Sequence, residues 1–506
     1  MPPALSSIIK AYDVRGTVPD QLDAGVVRAL GAAFADVVVL PEQAPAASGA
    51  ARHVVVGHDM RPSSPELSAA FAEGVASRGI DVVLIGLAST DGLYYASGAA
   101  SVPGAMFTAS HNPAQYNGIK LCRAGARPVG QDSGLSTIRE LAQSWLDAGE
   151  VPQPQGVTPG TVTEQDVLAD YAGHLRSLVD LSGIRPLKVV VDAGNGMAGH
   201  TVPAVLGTAA GLPALPLDVV PLYFELDGTF PNHEANPLEP ANLRDLQAAV
   251  REHGADLGLA FDGDADRCFV VDERGEPVSP SAVTALVAER EIGKERAAGR
   301  EAVVIHNLIT SRAVPEIVAE QGGIPVRTRV GHSFIKERMA EEGAVFGGEH
   351  SAHYYFREFW SADTGMLAAM HVLAALGEAP QPLSQLGARY ERYVASGEIN
   401  STVADAAAVA AFVEQVVTAE ARARGEDVEV DRLDGLTVTH PASDAEPMWW
   451  FNLRASNTEP LLRLNAEGAD AATMQHVRDR VLGLVRGEHG GSLTVPAAPA
   501  SAGERS

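Results

Sequence analysis
ADLGLAFDGDADRCFVVD, residues 255–272, sets two apolar runs on either side of a short loop crowded with carboxylates. LGLAF and CFVV are too short and too apolar for amphipathic helices and read as buried strands, so the acidic segment between them is a strand-to-strand loop. Asp262, Asp264 and Asp266 stand at alternate positions of that loop. Three hard carboxylates at this spacing can converge on one cation, whereas a polar turn needs only one or two of them. A calcium EF-hand is the nearest rival, since Glu273 falls at loop position 12. Arg267 occupies the sixth position, where that motif needs glycine, and the flanks are strands where it needs helices. Magnesium beside a phosphate suits three carboxylates and an adjoining arginine better.

Outward from this loop the chain keeps the same texture. Residues 1–155 alternate helical periodicity with short apolar runs such as HVVVG, DVVLIG and VPGAMFTAS, the pattern of an α/β domain. The Pro- and Gly-rich VPQPQGVTPGTV marks its end. A second α/β unit is expected over 156–276 and a third over 277–391, although residue-level self-similarity among the three is weak. Residues 392–490 read as a smaller α+β domain, and the small, polar 491–506 as a disordered tail.

The 506 residues carry a net charge of -26, which opposes nucleic acid or an anionic membrane as partner. The N-terminus has no basic segment followed by an apolar one, and two cysteines make neither a metal pattern nor a disulfide framework. The expectation is a cytoplasmic protein without membrane spans. An anionic ligand would need a local cationic pocket, so clustered Arg and Lys inside motifs carry information.

TASHNPAQYNGIK, residues 108–120, places Ser110 before His-Asn-Pro and ends on Lys120. Proline disfavours helix at the preceding residue, so the serine is expected in a turn with its hydroxyl protruding. RASNTEP, 454–460, gathers Arg454, Ser456, Asn457 and Thr458 in one loop, donors suited to a phosphate dianion. Arg463, in the following strand, either adds a second charge or stays solvated. GEHSAHYYF, 348–356, spaces Glu349, Ser351 and His353 at alternate positions, which an extended chain would turn to one side, toward sugar hydroxyls. His332 in VGHSFIK and His353 are the two candidates for an acid/base. GNGMAG, 194–199, follows a strand and meets the literal dinucleotide fingerprint, with Asp218 downstream. The rest of the chain supplies phosphate chemistry and nothing for hydride transfer, so the glycines are read as packing.

Taken together, TASHNP, DGDADR, GEHSAH and RASNTEP, with AYDVRG and DAGNGMAG, resemble the signature regions of the α-D-phosphohexomutase superfamily, in family order over about Lys10 to Arg480. The resemblance implies four domains around a central cleft, three similar α/β domains and a smaller C-terminal α+β domain. It implies that Ser110 carries a phosphoryl group, that Lys120 serves proton transfer, and that Asp262, Asp264 and Asp266 with the Ser110 phosphate hold Mg2+. Arg267, Arg15 and Tyr12 would face the transferring phosphate, and Arg454, Ser456, Asn457 and Thr458 the other one. The activity implied is interconversion of mannose 6-phosphate and mannose 1-phosphate through a hexose 1,6-bisphosphate, which also serves as activator, with glucose phosphates as a second substrate class. The histidine after the small residue in GEHSAH is similar to phosphomannomutase loops. Asp91 stands where many members have proline. A phosphoglucomutase and an amino-sugar mutase are the alternatives within the superfamily, the latter opposed by Asn457. Outside it stand a dehydrogenase resting on GNGMAG and a non-catalytic sugar-phosphate binder. Monomer and dimer are both open.

Overall fold
A computed structural model of the chain describes residues 4–9, 13–42, 53–444, 446–456 and 461–487, apart from the side chains of His332 and Ser333. These residues divide into two compact units, 1–392 and 393–506.

The first unit contains three sheets built on one plan. The strands of the first are β1 (Val14–Thr17), β2 (His53–His58), β3 (Asp81–Leu87), β4 (Gly104–Phe107), β5 (Tyr116–Arg123), β6 (Arg127–Pro128) and β7 (Val162–Glu164). β2 lies parallel to both β3 and β4, β4 runs antiparallel to β5, and β5 antiparallel to β1. The second sheet holds β8 (Leu187–Asp192), β9 (Leu217–Leu222), β10 (Leu257–Phe261), β11 (Cys268–Asp272) and β12 (Pro277–Val278). Here β8 lies parallel to β9 and β10, β10 antiparallel to β11, and β11 antiparallel to β12. The third sheet holds β13 (Val303–Asn307), β14 (Ile324–Thr328), β15 (Phe346–Gly348), β16 (Tyr354–Phe356) and β17 (Ala362–Asp363), with the same sequence of parallel and antiparallel neighbours. The repeat that residue identities conceal is therefore explicit in strand pairing.

This common plan places the motifs. The connection from the second parallel neighbour to its antiparallel partner carries Ser110 in the first sheet (β4 to β5), the three aspartates in the second (β10 to β11) and residues 349–353 in the third (β15 to β16). β10 and β11 are buried at every position, as the apolar runs predict, because helices cover the sheet.

Helical residues 24–42 form an apolar stretch with a mean hydropathy of 1.7, long enough by length and composition to cross a membrane. In the fold it is a core element, with Val27, Ala29 and Phe34 buried and the Phe34 and Phe71 rings 5.7 Å apart.

The second unit is a largely antiparallel sheet of β18 (Val394–Ala395), β19 (Ile399–Thr402), β20 (Glu429–Asp431), β21 (Leu436–His440), β22 (Trp449–Ala455) and β23 (Leu461–Gly468). Helices Ala406–Arg424 and Ala471–Arg486 belong to the same unit and are capped by Asp405 and Asp470, whose carboxylates accept from Ala408 and Thr473 backbone N–H groups. Val413, Val438, Phe451 and Val481 lie in its core.

Candidate active site
Ser110 has φ near 50°, in the left-handed region that a residue with a side chain rarely adopts. The surrounding contacts hold it there. Thr108 Oγ1 accepts from Ser110 N at 2.9 Å, and Arg61 donates to the carbonyls of Ser110, Asn112, Pro113 and Tyr116 at 2.7–2.9 Å. Arg61 is buried, with Asp59 as its ion-pair partner at 3.3 Å. This one guanidinium fixes the shape of the serine loop, and the reading of motifs passed over it. The signal was the lone arginine in GHDMRP, 49 residues upstream of the serine.

Ser110 is only 5% exposed, so its hydroxyl does not protrude as the turn argument expects. The left-handed backbone turns it toward the acidic loop, where Oγ donates to Asp262 Oδ2 at 2.8 Å. The two loops approach closely because residue 263 is glycine: a Cβ there would lie 2.4 Å from the Ser110 carbonyl oxygen. GNGMAG serves the same contact from the other side, since a Cβ on Gly196 would lie 2.7 Å from the Gly263 oxygen. Asp218 lies exposed on β9 beside Lys188, 3.8 Å away. The glycines are thus packing devices.

Oxygens of Asp262, Asp264 and Asp266 lie within 4.8 Å of one another. Lys120, on β5, places Nζ 2.7 Å from Asp264 Oδ2 and 2.5 Å from Asp266 Oδ2. Burial pulls the Lys120 ammonium down, but the two carboxylates outweigh it and hold it well above the usual lysine range. Burial drives the Asp262 carboxyl up against the opposing pull of Arg267. For Asp266 the balance reverses: the Lys120 charge overcomes burial and holds it below the usual range. Asp264 Oδ1 and Asp266 Oδ1 are buried without a hydrogen-bond partner. Orphaned carboxylate oxygens in a buried acidic cluster are costly unless a cation completes them, so the donor set fits a hard divalent ion.

Arg267 donates from Nε to Asp262 Oδ2 at 2.9 Å and from Nη2 to His111 Nδ1 at 2.7 Å. That bond requires a lone pair on Nδ1. Desolvation of the ring, reinforced by the Arg267 and Arg15 charges, holds His111 down to about 3, so the imidazole is neutral. Arg15 donates to Asn112 Oδ1 at 2.7 Å and to Asp13 at 2.6 Å, bringing its charge beside the serine loop. Tyr12 lies outside the described residues.

The third motif is a tight turn, and the extended chain expected over 349–353 is corrected. β15 and β16 are too close in sequence for anything else: Ala352 adopts φ near 65°, its N–H donates to Glu349 O at 3.1 Å, and Glu349 N donates to His353 O at 3.0 Å. Glu349 is 2% exposed, with Oε1 accepting from Asn307 and Gly331 N and Oε2 from Tyr355 at 2.7 Å. Ser351 Oγ lies 2.9 Å from His353 Nδ1, and His353 Nε2 is 3.9 Å from Asp266 Oδ1. His353 therefore joins the acidic cluster. His332 opens helix His332–Glu342, but its side chain lies outside the described set.

In the second unit, Arg454 on β22 and Arg463 on β23 are cross-strand partners, and Glu398 reaches both, at 3.6 and 3.2 Å. Ser456 N donates to Leu461 O at 2.8 Å and closes the hairpin. Asn457 and Thr458 lie outside the described residues. One carboxylate thus bridges two guanidiniums on neighbouring strands.

The description "Phosphoglucomutase/phosphomannomutase, alpha/beta/alpha domain I" matches residues 6–147, domain II of the same family matches 169–275, domain III 279–393 and the C-terminal domain 398–484. A protein of Xanthomonas campestris named "Phosphohexose mutases" is 40% identical over 481 residues, 94% of this chain and 99% of that protein. A phosphomannomutase of Salmonella typhimurium is 38% identical over 475 residues, 94% and 97% of the two chains. The crystal structure of a phosphoglucomutase/phosphomannomutase family protein of Burkholderia thailandensis superposes with a TM-score of 0.78 at 32% identity, over 95% of this chain and 98% of that one. Four consecutive domain matches and relatives of full length leave one assignment: this chain belongs to the phosphoglucomutase/phosphomannomutase family.

Proposed function
We propose that the protein is a phosphomannomutase, interconverting mannose 6-phosphate and mannose 1-phosphate, with glucose phosphates as a second substrate class. The observation that carries this reading is the Ser110 hydroxyl set 2.8 Å from Asp262, inside a cluster with Lys120 and two buried carboxylate oxygens that have no hydrogen-bond partner. The full-length Salmonella relative bears the name phosphomannomutase.

In this reading Ser110 is phosphorylated in the active enzyme. A hydroxyl of the hexose monophosphate attacks that phosphorus; the new O–P bond forms as the Oγ–P bond breaks, and the hydroxyl's proton ends on Oγ. The product is a hexose 1,6-bisphosphate. It turns round, and its other phosphate returns to Ser110 by the reverse chemistry, so the bisphosphate also serves as activator of unphosphorylated enzyme. Lys120, held protonated between two carboxylates, acts as the acid toward the departing Ser110 oxygen. Arg15 and Arg267, both beside the serine loop, would stabilise the charge that develops on the transferring group. Asp262, Asp264 and Asp266 would hold Mg2+, which supplies neutralisation of phosphoryl charge when bound. Arg454 and Arg463, with Ser456, Asn457 and Thr458, hold the non-reacting phosphate. Glu349 and Ser351 would meet the sugar, Tyr12 would face the transferring phosphate, and His332 or His353 would serve as a further acid/base. The working division is 1–155, 156–276, 277–391 and 392–490, in a cytoplasmic enzyme.

The test is a parallel kinetic comparison of mannose, glucose and glucosamine phosphates with Mg2+ and a trace of bisphosphate. The expected order of kcat/KM is mannose, glucose, glucosamine. Glucosamine phosphate as the best substrate, or turnover only with a nicotinamide, would overturn the proposal.

A further inference from the structure
Helix Thr90–Ala100 begins at Ser89, whose Oγ caps it by accepting from Gly92 N at 3.2 Å. Its first two residues reach different partners. Thr90 holds Asp264 twice, from N to the backbone oxygen at 3.0 Å and from Oγ1 to Oδ2 at 2.6 Å. Asp91 is completely buried and accepts three hydroxyls. Ser89 Oγ binds its Oδ1, while Tyr171 and Thr364 bind Oδ2 at 2.8 and 2.7 Å. Tyr171 belongs to helix Leu168–Leu178 and Thr364 caps helix Gly365–Glu378, one in the domain II match and one in the domain III match.

The next turns of the same helix are clamped too. Tyr95 meets Tyr171 and Trp360 edge-on at 6.1 and 6.2 Å, and the Trp360 ring fills the space a side chain on Gly98 would need. Trp360 also stacks on His174 at 5.2 Å. The helix is thus fixed along its length by both neighbouring domains, and its N-terminus touches the acidic loop. A buried carboxylate met only by neutral hydroxyls is a poor way to gain stability, since apolar packing would cost less. What it adds is direction, because each hydroxyl must point at a defined oxygen.

We infer that Asp91 is a positioning residue for the acidic loop: it seats the start of the helix against both neighbouring domains, and Thr90 transmits that seat to Asp264. The inference rests on the reading of Asp262, Asp264 and Asp266 as a divalent-cation site.

The test is direct Mn2+ binding to the full chain, followed by electron paramagnetic resonance, with melting temperature measured alongside. Asp91→Ala is expected to weaken Mn2+ roughly tenfold, and Thr90→Val by a similar factor. The double variant should be within about twofold of Thr90→Val alone, because both act through one contact. Asp91→Asn, whose amide can still accept from Tyr171 and Thr364 and donate to Ser89, should bind within about twofold of the wild type. Asp91→Ala binding Mn2+ as the wild type does, at whatever melting temperature, would overturn the inference, as would independent, multiplying effects of the two substitutions. Should Asp91→Ala fail to fold, Tyr171→Phe and Thr364→Val carry the same comparison with roughly threefold losses, and wild-type affinity in both would sink it. Asp264→Asn separates the two readings: if it binds Mn2+ like the wild type, the cation site itself is wrong, whatever Asp91 does.

Discussion

Ser110 Oγ donates to Asp262 Oδ2 at 2.8 Å, although 152 residues separate the two. The serine and the first of the three carboxylates are therefore one unit, brought together where two repeats meet at Gly263. Ser110→Ala should abolish turnover by a factor of at least about a thousand, as loss of a covalent carrier does. Alanine accepts the left-handed backbone no worse than serine, so the melting temperature should hold. Peptide mass mapping checks the carrier: the active wild type should bear phosphate on the peptide containing Ser110, and a phosphate-free enzyme that turns over without bisphosphate refutes the assignment.

Chelation should stop turnover, and Mg2+ should restore it, because Asp264 Oδ1 and Asp266 Oδ1 are buried without a hydrogen-bond partner. The check is titration of the stripped enzyme with Mg2+ while circular dichroism is recorded. Full activity after exhaustive chelation is the outcome that excludes the cation.

Arg61→Met should destabilise the first unit severely, by roughly 3–5 kcal/mol, since it removes the cation facing buried Asp59 and strips four carbonyls of their donor. Arg61→Lys should recover only part of this, because an ammonium cannot match the planar fork. Thermal unfolding of both variants decides it; a melting temperature unchanged in Arg61→Met would show that the loop holds its shape alone.

Arg454→Ala should weaken hexose monophosphate binding by about tenfold or more, the scale of a charge-assisted bond to phosphate. Bisphosphate should escape more often during turnover. Glu398→Gln should act the other way, tightening phosphate by a few fold, because Glu398 competes for Arg454 and Arg463 at 3.6 and 3.2 Å. Calorimetric titration with mannose 1-phosphate reads both, and unchanged affinity in the two variants would make this hairpin structural.

Burial raises the Asp91 carboxyl to about 6, against the hydrogen bonds of Ser89, Thr364 and Tyr171 and with help from the Asp266 charge. The folded chain thus keeps a proton that the unfolded chain gives up near pH 3.9, so Asp91 makes stability fall as pH rises from about 4 to about 6, by up to roughly 3 kcal/mol. Asp91→Asn lacks this group. Its melting temperature relative to the wild type should rise between pH 4.5 and pH 7.5; a constant difference would show that Asp91 titrates normally.

The segments that the structure brings together were visible as motifs with a spacing of their own. Residues 262–267 announce a loop between strands because apolar runs flank them, with three carboxylates at a spacing that can converge on one cation, and 108–120 and 454–460 gather polar side chains suited to a phosphate. What stayed hidden depends on distance along the chain. Arg61 serves a loop 49 residues away and Asp91 answers hydroxyls 80 and 273 residues downstream, so neither has a local pattern. Residues 349–353 misled for a different reason: alternate polar positions suggest a strand, but two three-residue strands joined by five residues must reverse, and Ala352 takes the left-handed turn that does it. The repeat was legible as three successive α/β units but not in residue identities, because strand pairing constrains hydrophobicity, and hydrophobicity is met by many sequences.

Ser110, the three aspartates and the 349–353 turn occupy the same connection in three copies of one strand plan. Duplication of such a unit frees each copy to specialise without disturbing the others, because the sheets that hold the connection stay intact while its residues change. The chain is in this sense a set of sockets cut to one pattern, and His353, 3.9 Å from Asp266 Oδ1, is the point at which the third socket shares a wire with the acidic one. Under the proposed roles, a new sugar would be selected in the third copy at positions other than His353, while the serine and acidic copies are inherited whole.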